Sequence, residues 1–254
     1  MKLNSYLSKY FHGLSSSNTF FPLLLILLVS ITSITIILFS SGFNLNFEKK
    51  YTVLAQINIL LKERNNNLSI GLFRLNIGNY TEAIPYFDKA LAIDPNNKPA
   101  LTNKGLALSN IGNYTEAIQY FDKVLAIDPN DRLALSNKGL AFYKQGNYIE
   151  AIPYFDKALD IDPNDKSSLT NKGLALSNIG NYIEAIPYFD KALDIDPNYK
   201  YALNGKGLAL SNLGKYNEAI PYFDKVLAID PNFEAAIINK GEALSKAVNQ
   251  SNTW

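Results

Sequence analysis

The sequence predicts an all-α fold: a stacked array of antiparallel helix pairs, carried on one N-terminal transmembrane helix. Two observations lead there. The first is the stretch Gly78–Asn96, which reads G-N-Y-T-E-A-I-P-Y-F-D-K-A-L-A-I-D-P-N and returns almost unchanged four more times. Its glycine recurs as Gly112, Gly146, Gly180 and Gly214, and Pro95 recurs as Pro129, Pro163, Pro197 and Pro231, each 34 residues after the last. A fixed period of this size marks a stack of like supersecondary units. The second observation is an uncharged run of 20 residues, Phe20 to Phe39. As a helix it rises about 30 Å, the thickness of a bilayer core.

In chain order, residues 1–19 form a polar tail with Lys2 and Lys9 and no acid. Residues 20–42 are the expected membrane helix, a signal anchor. The run is longer than the apolar core of a cleaved signal, and Ser40-Ser41-Gly42 offers a peptidase small residues but no A-x-A pattern. Lys2 and Lys9 stand against Lys49 and Lys50, which Glu48 partly offsets. That near-even count leans toward the tail inside and the repeats outside the cytoplasm. Residues 43–63 form a linker, and Phe47 to Arg64, which reaches one residue past it, reads as a helix capping the first unit or lying at the membrane surface. Asn65-Asn66-Asn67 is expected to break that helix.

Five units follow, at 64–97, 98–131, 132–165, 166–199 and 200–233, then a closing half-unit at 234–248 and a tail at 249–254. Each unit reads as two helices. In the second, Leu101, Leu106, Ala107, Leu108 and Ile111 have helical spacing, and Gly112-Asn113 turns the chain. Asn113 with Glu116 makes a capping-box pair, Ala117, Ile118, Phe121, Val124 and Leu125 form the second stripe, and Asp128-Pro129-Asn130 ends it. One such unit is too small to bury its own apolar face, so its neighbours must cover it. Pro85, Pro153, Pro187 and Pro221 fall inside the second helices, where Gln119 stands in the second unit. An interior proline costs about 3 kcal/mol, so these four helices are expected to open or kink in the first turn, with the position facing solvent.

These residues resemble the tetratricopeptide repeat family over roughly residues 64–248. The family's small residue in the first helix matches Gly71, Gly105, Gly139, Gly173, Gly207 and Gly241, and its early alanine in the second matches Ala83, Ala117, Ala151, Ala185 and Ala219. Its aromatic matches Phe87, Phe121, Phe155, Phe189 and Phe223, whereas its usual Trp is replaced by Leu101, Leu135, Leu169 and Leu203. The resemblance implies a solenoid, a right-handed superhelical array of antiparallel helix pairs, whose first helices line a groove for peptides or partner helices. It carries that groove to Asn103, Asn137, Asn171 and Asn239 at the sixth position of each unit, with Ser69 first and Gly205 interrupting. At the ninth position it implies Leu106, Leu140, Leu174 and Leu208, and at the twelfth Tyr143 among serines. At the thirteenth it implies Asn110, Lys144, Asn178 and Asn212, and at the second Tyr201. The sixth-position series is similar to the asparagine ladder of O-linked N-acetylglucosamine transferases, where amides pair with successive peptide groups of an extended chain. The cationic clamp of the chaperone-tail receptors in the family is missing, since Pro99, Leu133, Ser167 and Tyr201 stand where it would begin.

The chemistry of an enzyme is not visible. There is no cysteine and one histidine, His12, and no phosphate loop, H-E-x-x-H or G-x-S-x-G motif. Asp88-Lys89 and Glu82 recur in every unit and read as solvated helix faces and caps. With 24 basic against 23 acidic residues, nothing suggests nucleic acid. No cofactor or metal is expected. The expected function is a membrane-anchored, non-enzymatic scaffold that holds a protein or peptide in the groove. Two other readings stay open: a structural, self-associating assembly factor, and an accessory subunit of a cell-envelope enzyme.

Overall fold

The structure, a computed structural model, describes residues 47–251. The tail at 1–19, the expected membrane helix at 20–42 and residues 252–254 lie outside the described residues. Among the described residues there are eleven helices and no strands. They are α1 (Phe47–Asn76), α2 (Tyr80–Ile93), α3 (Lys98–Asn110), α4 (Tyr114–Ile127), α5 (Arg132–Lys144), α6 (Tyr148–Ile161), α7 (Lys166–Asn178), α8 (Tyr182–Ile195), α9 (Lys200–Asn212), α10 (Tyr216–Ile229) and α11 (Glu234–Ser251). None of them is long and apolar enough to cross a membrane. The chain divides after Ile111 into two compact units, the first holding α1–α3 and the second α4–α11.

The punctuation works through local hydrogen bonds. Gly146 and Gly180 sit at φ 84° and 86°, a left-handed conformation open to glycine at little cost. The N–H groups of Asn147 and Asn181 then reach back to the carbonyls of Phe142 and Leu176, at 3.0 and 2.9 Å, closing α5 and α7 in Schellman fashion. At the other end of each pair the aspartate before proline is extended, as at Asp162 (φ −134°, ψ 93°). Its carboxylate accepts from the Asn164 N–H at 3.1 Å and so shapes the turn. The next helix is capped at once: Asp131 accepts from the Ala134 N–H at 3.0 Å and Asp165 from the Ser167 N–H at 3.1 Å.

Two expectations are corrected. Asn65–Asn67 does not break a helix, and the expected linker runs straight into the first repeat as α1. Packing overrides propensity here. Leu68, Leu72 and Leu75 close on Phe87, and Asn67 is buried. Arg64 donates to Asn65 Oδ1 at 3.0 Å and to Asp94 at 2.9 Å, tying the asparagine run into the unit. The second correction concerns the prolines. Pro85, Pro153, Pro187 and Pro221 are exposed, as expected, yet α2, α6, α8 and α10 continue unbroken through them. The bond closing the first turn, from the early alanine N–H to the N-cap carbonyl, measures 3.0–3.1 Å in all five second helices. Proline removes only one donor, whose carbonyl acceptor four residues back lies on the exposed side of the first turn. What differs is the cap. Asn113 in the Gln119 helix accepts from the Glu116 N–H and donates to its carboxylate at 2.8 Å, whereas Asn79, Asn147 and Asn181 make no side-chain cap bond.

In the first unit the core forms around Phe87, with Ala83 and Ala107. In the second, Phe155, Phe189 and Phe223 are wholly buried, each against the glycine of its partner helix. A Cβ on Gly139, Gly173 or Gly207 would stand 2.7–2.8 Å from that ring, so glycine is what allows the ring in. Burying each phenylalanine contributes about 1.5–3 kcal/mol. The last stretch forms the single helix α11, which runs past Val248 to Ser251.

Candidate functional site

In the second unit the first helices α5, α7, α9 and α11 lie side by side. Ser136 and Ser168 share a hydrogen bond of 2.8 Å between α5 and α7, and Asn239 donates to Asn204 at 3.2 Å between α11 and α9. Their shared face carries the expected groove positions. Asn137 and Asn171 are half-buried on it, and their amides make no hydrogen bond among the described residues. Asn239 is half-buried and engaged with Asn204. The interruption at Gly205 has a steric cause: a Cβ there would stand 2.5 Å from the Phe189 ring. In the first unit Asn103 donates to the Pro99 carbonyl of its own helix at 2.7 Å.

The thirteenth-position asparagines behave alike. Asn178 and Asn212 are exposed and donate to the carbonyls of Leu174 and Leu208, four residues back, at 2.8 and 3.0 Å. Asn110 in the first unit does the same to Leu106, at 2.8 Å. Asn178 gives its second N–H to the Tyr143 hydroxyl at 3.1 Å, which leaves its amide oxygen as an acceptor. Burial is the main cause pushing the Tyr143 phenol up, against the bond from Asn178. The ring of Tyr143 leans on Tyr148 at 5.2 Å. Lys144 is exposed beside it. Leu106, Leu140, Leu174 and Leu208 are half-buried. Leu140 and Leu174 pack against the cores around Phe155 and Phe189, so the ninth position belongs as much to stacking as to any groove. Tyr201 is exposed, edge-on to Tyr199 and Phe233 and beneath the Lys200 ammonium.

The structure also corrects the reading of the repeated aspartates. Asp88, Asp122, Asp156 and Asp190 are not merely solvated: each accepts from a lysine 16 residues on, Lys104, Lys138, Lys172 or Lys206. These lysine side chains are only 7–16% exposed, while the aspartates stay about half exposed. Lys172 also donates to the Tyr188 hydroxyl at 2.6 Å, with its ammonium 4.2 Å from the ring centroid. Lys138 and Lys206 sit in the same way over Tyr154 and Tyr222. Burial pulls these three ammonium groups down, but the bonds to aspartate and tyrosine outweigh it and hold them above the ordinary lysine value. This pairing escaped the sequence reading. The signal that could have found it is a constant Asp-to-Lys offset repeated down the chain.

Other polar groups are closed in. The hydroxyls of Thr170, Ser177 and Ser211 are buried without a partner among the described residues. A cavity of about 520 Å³ opens beside α8, α9 and α10, but two of its lysines are engaged, Lys206 with Asp190 and Lys215 with Glu218 at 3.4 Å. Among the described residues no three His, Cys, Asp or Glu side chains gather in a metal-binding group.

Family models described as "Tetratricopeptide repeat" match residues 68–97, 102–166, 167–199 and 201–233, together more than half of the chain. No curated protein matches the sequence. Among solved structures, MamA 41-end from Desulfovibrio magneticus RS-1 is similar at 26% identity, with a TM-score of 0.60, over 67% of this chain and 97% of that one. TTC0263 of Thermus thermophilus, a thermophilic tetratricopeptide protein, is 18% identical at a TM-score of 0.60, over 71% and 98% of the two chains. YrrB, described as a tetratricopeptide protein with an unusual peptide-binding site, is 23% identical at 0.56, over 69% and 90%. The last two likenesses show the fold alone.

Proposed function

Because this chain belongs to the tetratricopeptide repeat family, we propose that it is a non-catalytic scaffold, anchored in a membrane by residues 20–42, that holds a peptide or protein against the first-helix face of its second unit. The observation that carries the reading is the row of amides and one tyrosine on α5 and α7. Asn137 and Asn171 present unused donors and acceptors, and Asn178, its N–H groups spent on Leu174 and Tyr143, presents an acceptor. An extended chain offers N–H and C=O groups whatever its side chains, so amides of this kind recognise backbone. Each such bond contributes about 0.5–1.5 kcal/mol, and Tyr143 adds apolar contact area at little entropic cost. That YrrB has a peptide-binding site is consistent with this use of the fold.

The test is crosslinking and pull-down from cells with Asn137, Asn171 and Asn178 all replaced by alanine. The expected outcome is loss of the partners recovered with the native chain, with helicity unchanged. Recovery of the same partners at the same yield refutes the groove. The anchor rests on the uncharged run from Phe20 to Phe39. It predicts that the chain resists alkaline extraction from membranes. On this reading the repeats lie outside the cytoplasm, so protease added to intact spheroplasts digests them; full protection places them inside.

A further inference from the structure

Helices α2, α6 and α8 are almost one sequence. α2 reads Y-T-E-A-I-P-Y-F-D-K-A-L-A-I, and α6 and α8 both read Y-I-E-A-I-P-Y-F-D-K-A-L-D-I. Thr81 of α2 gives way to Ile149 and Ile183, and Ala92 gives way to Asp160 and Asp194. Every residue that stacks the units is shared, so these two differences play no part in the core. Both fall on the outside. Ile149 and Ile183 are 69% and 77% exposed, more than any other large apolar side chain among the described residues, and Asp160 and Asp194 are exposed too. The two positions lie eleven residues apart, about three helical turns, so they share one stripe and stand about 16 Å apart along it. Neither difference serves the helix. An isoleucine left in water gains nothing from burial, and a carboxylate in the last turn opposes the negative end of the helix macrodipole.

The two helices are neighbours. They flank α7, where Ile152 and Leu159 of α6 pack on the core that holds Ala185 and Phe189 of α8. Like units in a stack repeat one orientation, so the aliphatic ends of the two stripes fall together, and so do the acidic ends. Pro153 and Pro187, both exposed, extend the aliphatic ends by one turn. Charge decides what such a face accepts. α6 and α8 each carry three carboxylates against one lysine, whereas α4 and α10 carry two against one. The carboxylates of Asp160 and Asp194 make no ion pair or hydrogen bond among the described residues. An anionic lipid surface or a nucleic acid would be repelled here, and a cation drawn in. We propose that the outer face of α6 and α8 is a docking site for an amphipathic helix of a partner protein, aliphatic at one end and basic at the other. Its aliphatic side chains cover Ile149 and Ile183, and its lysines or arginines, about three turns away, meet Asp160 and Asp194. This face belongs to second helices and the amide row to first helices, so failure of one proposal leaves the other standing.

The probe is a fluorescein-labelled synthetic peptide, LAQLLAQAAQAKAQKKAQ, whose leucines precede its lysines by the same three turns. It is titrated by anisotropy with the full chain in neutral detergent micelles. Two double variants carry the residues of α2: Ile149→Thr with Ile183→Thr, and Asp160→Ala with Asp194→Ala. Because α2 is helical with those residues, unchanged helicity is expected. Saturable binding to the native chain is expected, at least tenfold weaker with either double variant, and hydrogen exchange should slow in α6 and α8 when peptide is bound. The same peptide with glutamate for each lysine should not bind. Variants and native chain share the same micelles, so uptake of peptide by detergent cancels in the comparison. No saturation, or equal binding to the native chain and both variants, overturns the proposal. Weakening by the aspartate pair alone also overturns it, since that marks adsorption of charge, and weakening by the isoleucine pair alone overturns the basic occupant. A native dimer in sedimentation that the isoleucine variant makes monomeric assigns the face to a second copy instead of a partner protein.

Discussion

The pair between Lys172 and Asp156 predicts an asymmetry that ordinary salt-bridge reasoning would miss. The Lys172 side chain is 10% exposed and its partner 45%. Lys172→Met keeps the aliphatic stem and removes the ammonium. The aspartate left behind turns to water, so the loss is that of a largely solvated pair, about 0–1 kcal/mol. Asp156→Ala leaves a buried ammonium. It retains the Tyr188 hydroxyl at 2.6 Å and the ring 4.2 Å away, which offset part of the cost. Stranding one member of a buried pair costs about 3–5 kcal/mol, and the retained tyrosine reduces this to about 2–3 kcal/mol. The double variant should recover most of that loss, because no unpaired charge remains. The assay is urea unfolding followed by far-ultraviolet circular dichroism, with hydrogen exchange across α6–α8 to localise the effect, since a repeat array need not unfold as one step. The reasoning is refuted if Lys172→Met proves as costly as Asp156→Ala, or if the double variant is no more stable than the latter. The pH dependence carries the same logic. The Lys172 ammonium is held above its unfolded value, so its contribution is complete below about pH 10.4 and is lost as pH rises through the folded value.

Three further outcomes are expected. Gly205→Asn, which restores the sixth-position series, should destabilise by about 1–3 kcal/mol by overpacking against Phe189, measured as a lower unfolding midpoint; a neutral or stabilising result contradicts the steric account. Gln119→Pro should cost well under the ~3 kcal/mol of a typical interior proline, because four sister helices carry that proline unbroken at an exposed site; a full penalty in thermal unfolding would show that α4 is different. On the acid side, Lys166 above all, and then the Asn198 N–H, hold Asp196 below the ordinary carboxylate value, and Lys200 does the same for Asp230. Their stabilising contribution is present above about pH 4 and lost as pH falls through the folded values, so Lys166→Met should flatten the acid limb of a stability–pH curve.

The candidate site was legible in residue type and register and much less in geometry. The 34-residue register places Asn137, Asn171, Asn178 and Tyr143 on successive first helices that lie side by side. It does not say that Asn178 and Asn212 spend donors on their own helices, because that depends on rotamer. Nor does it say that the ninth-position leucines are half withdrawn into the core, because that depends on how far the neighbouring helix intrudes.

What the sequence determined by itself is the helical punctuation and the stacking pattern. Gly146 and Gly180 end helices through bonds that span five residues, and Asp162-Pro163-Asn164 turns the chain through bonds that span two. Interactions that short are written into consecutive residues, and repetition presents the same apolar face to the same kind of neighbour. The tertiary structure decided what depends on residues brought together from different helices. It carried α1 through three asparagines because Phe87 was waiting for its leucines, and it excluded a side chain at Gly205 because Phe189 already fills that space. It also turned a row of apparently solvated aspartates into partners for buried lysines, since a charge this far from water is stable only when another element supplies its counter-charge.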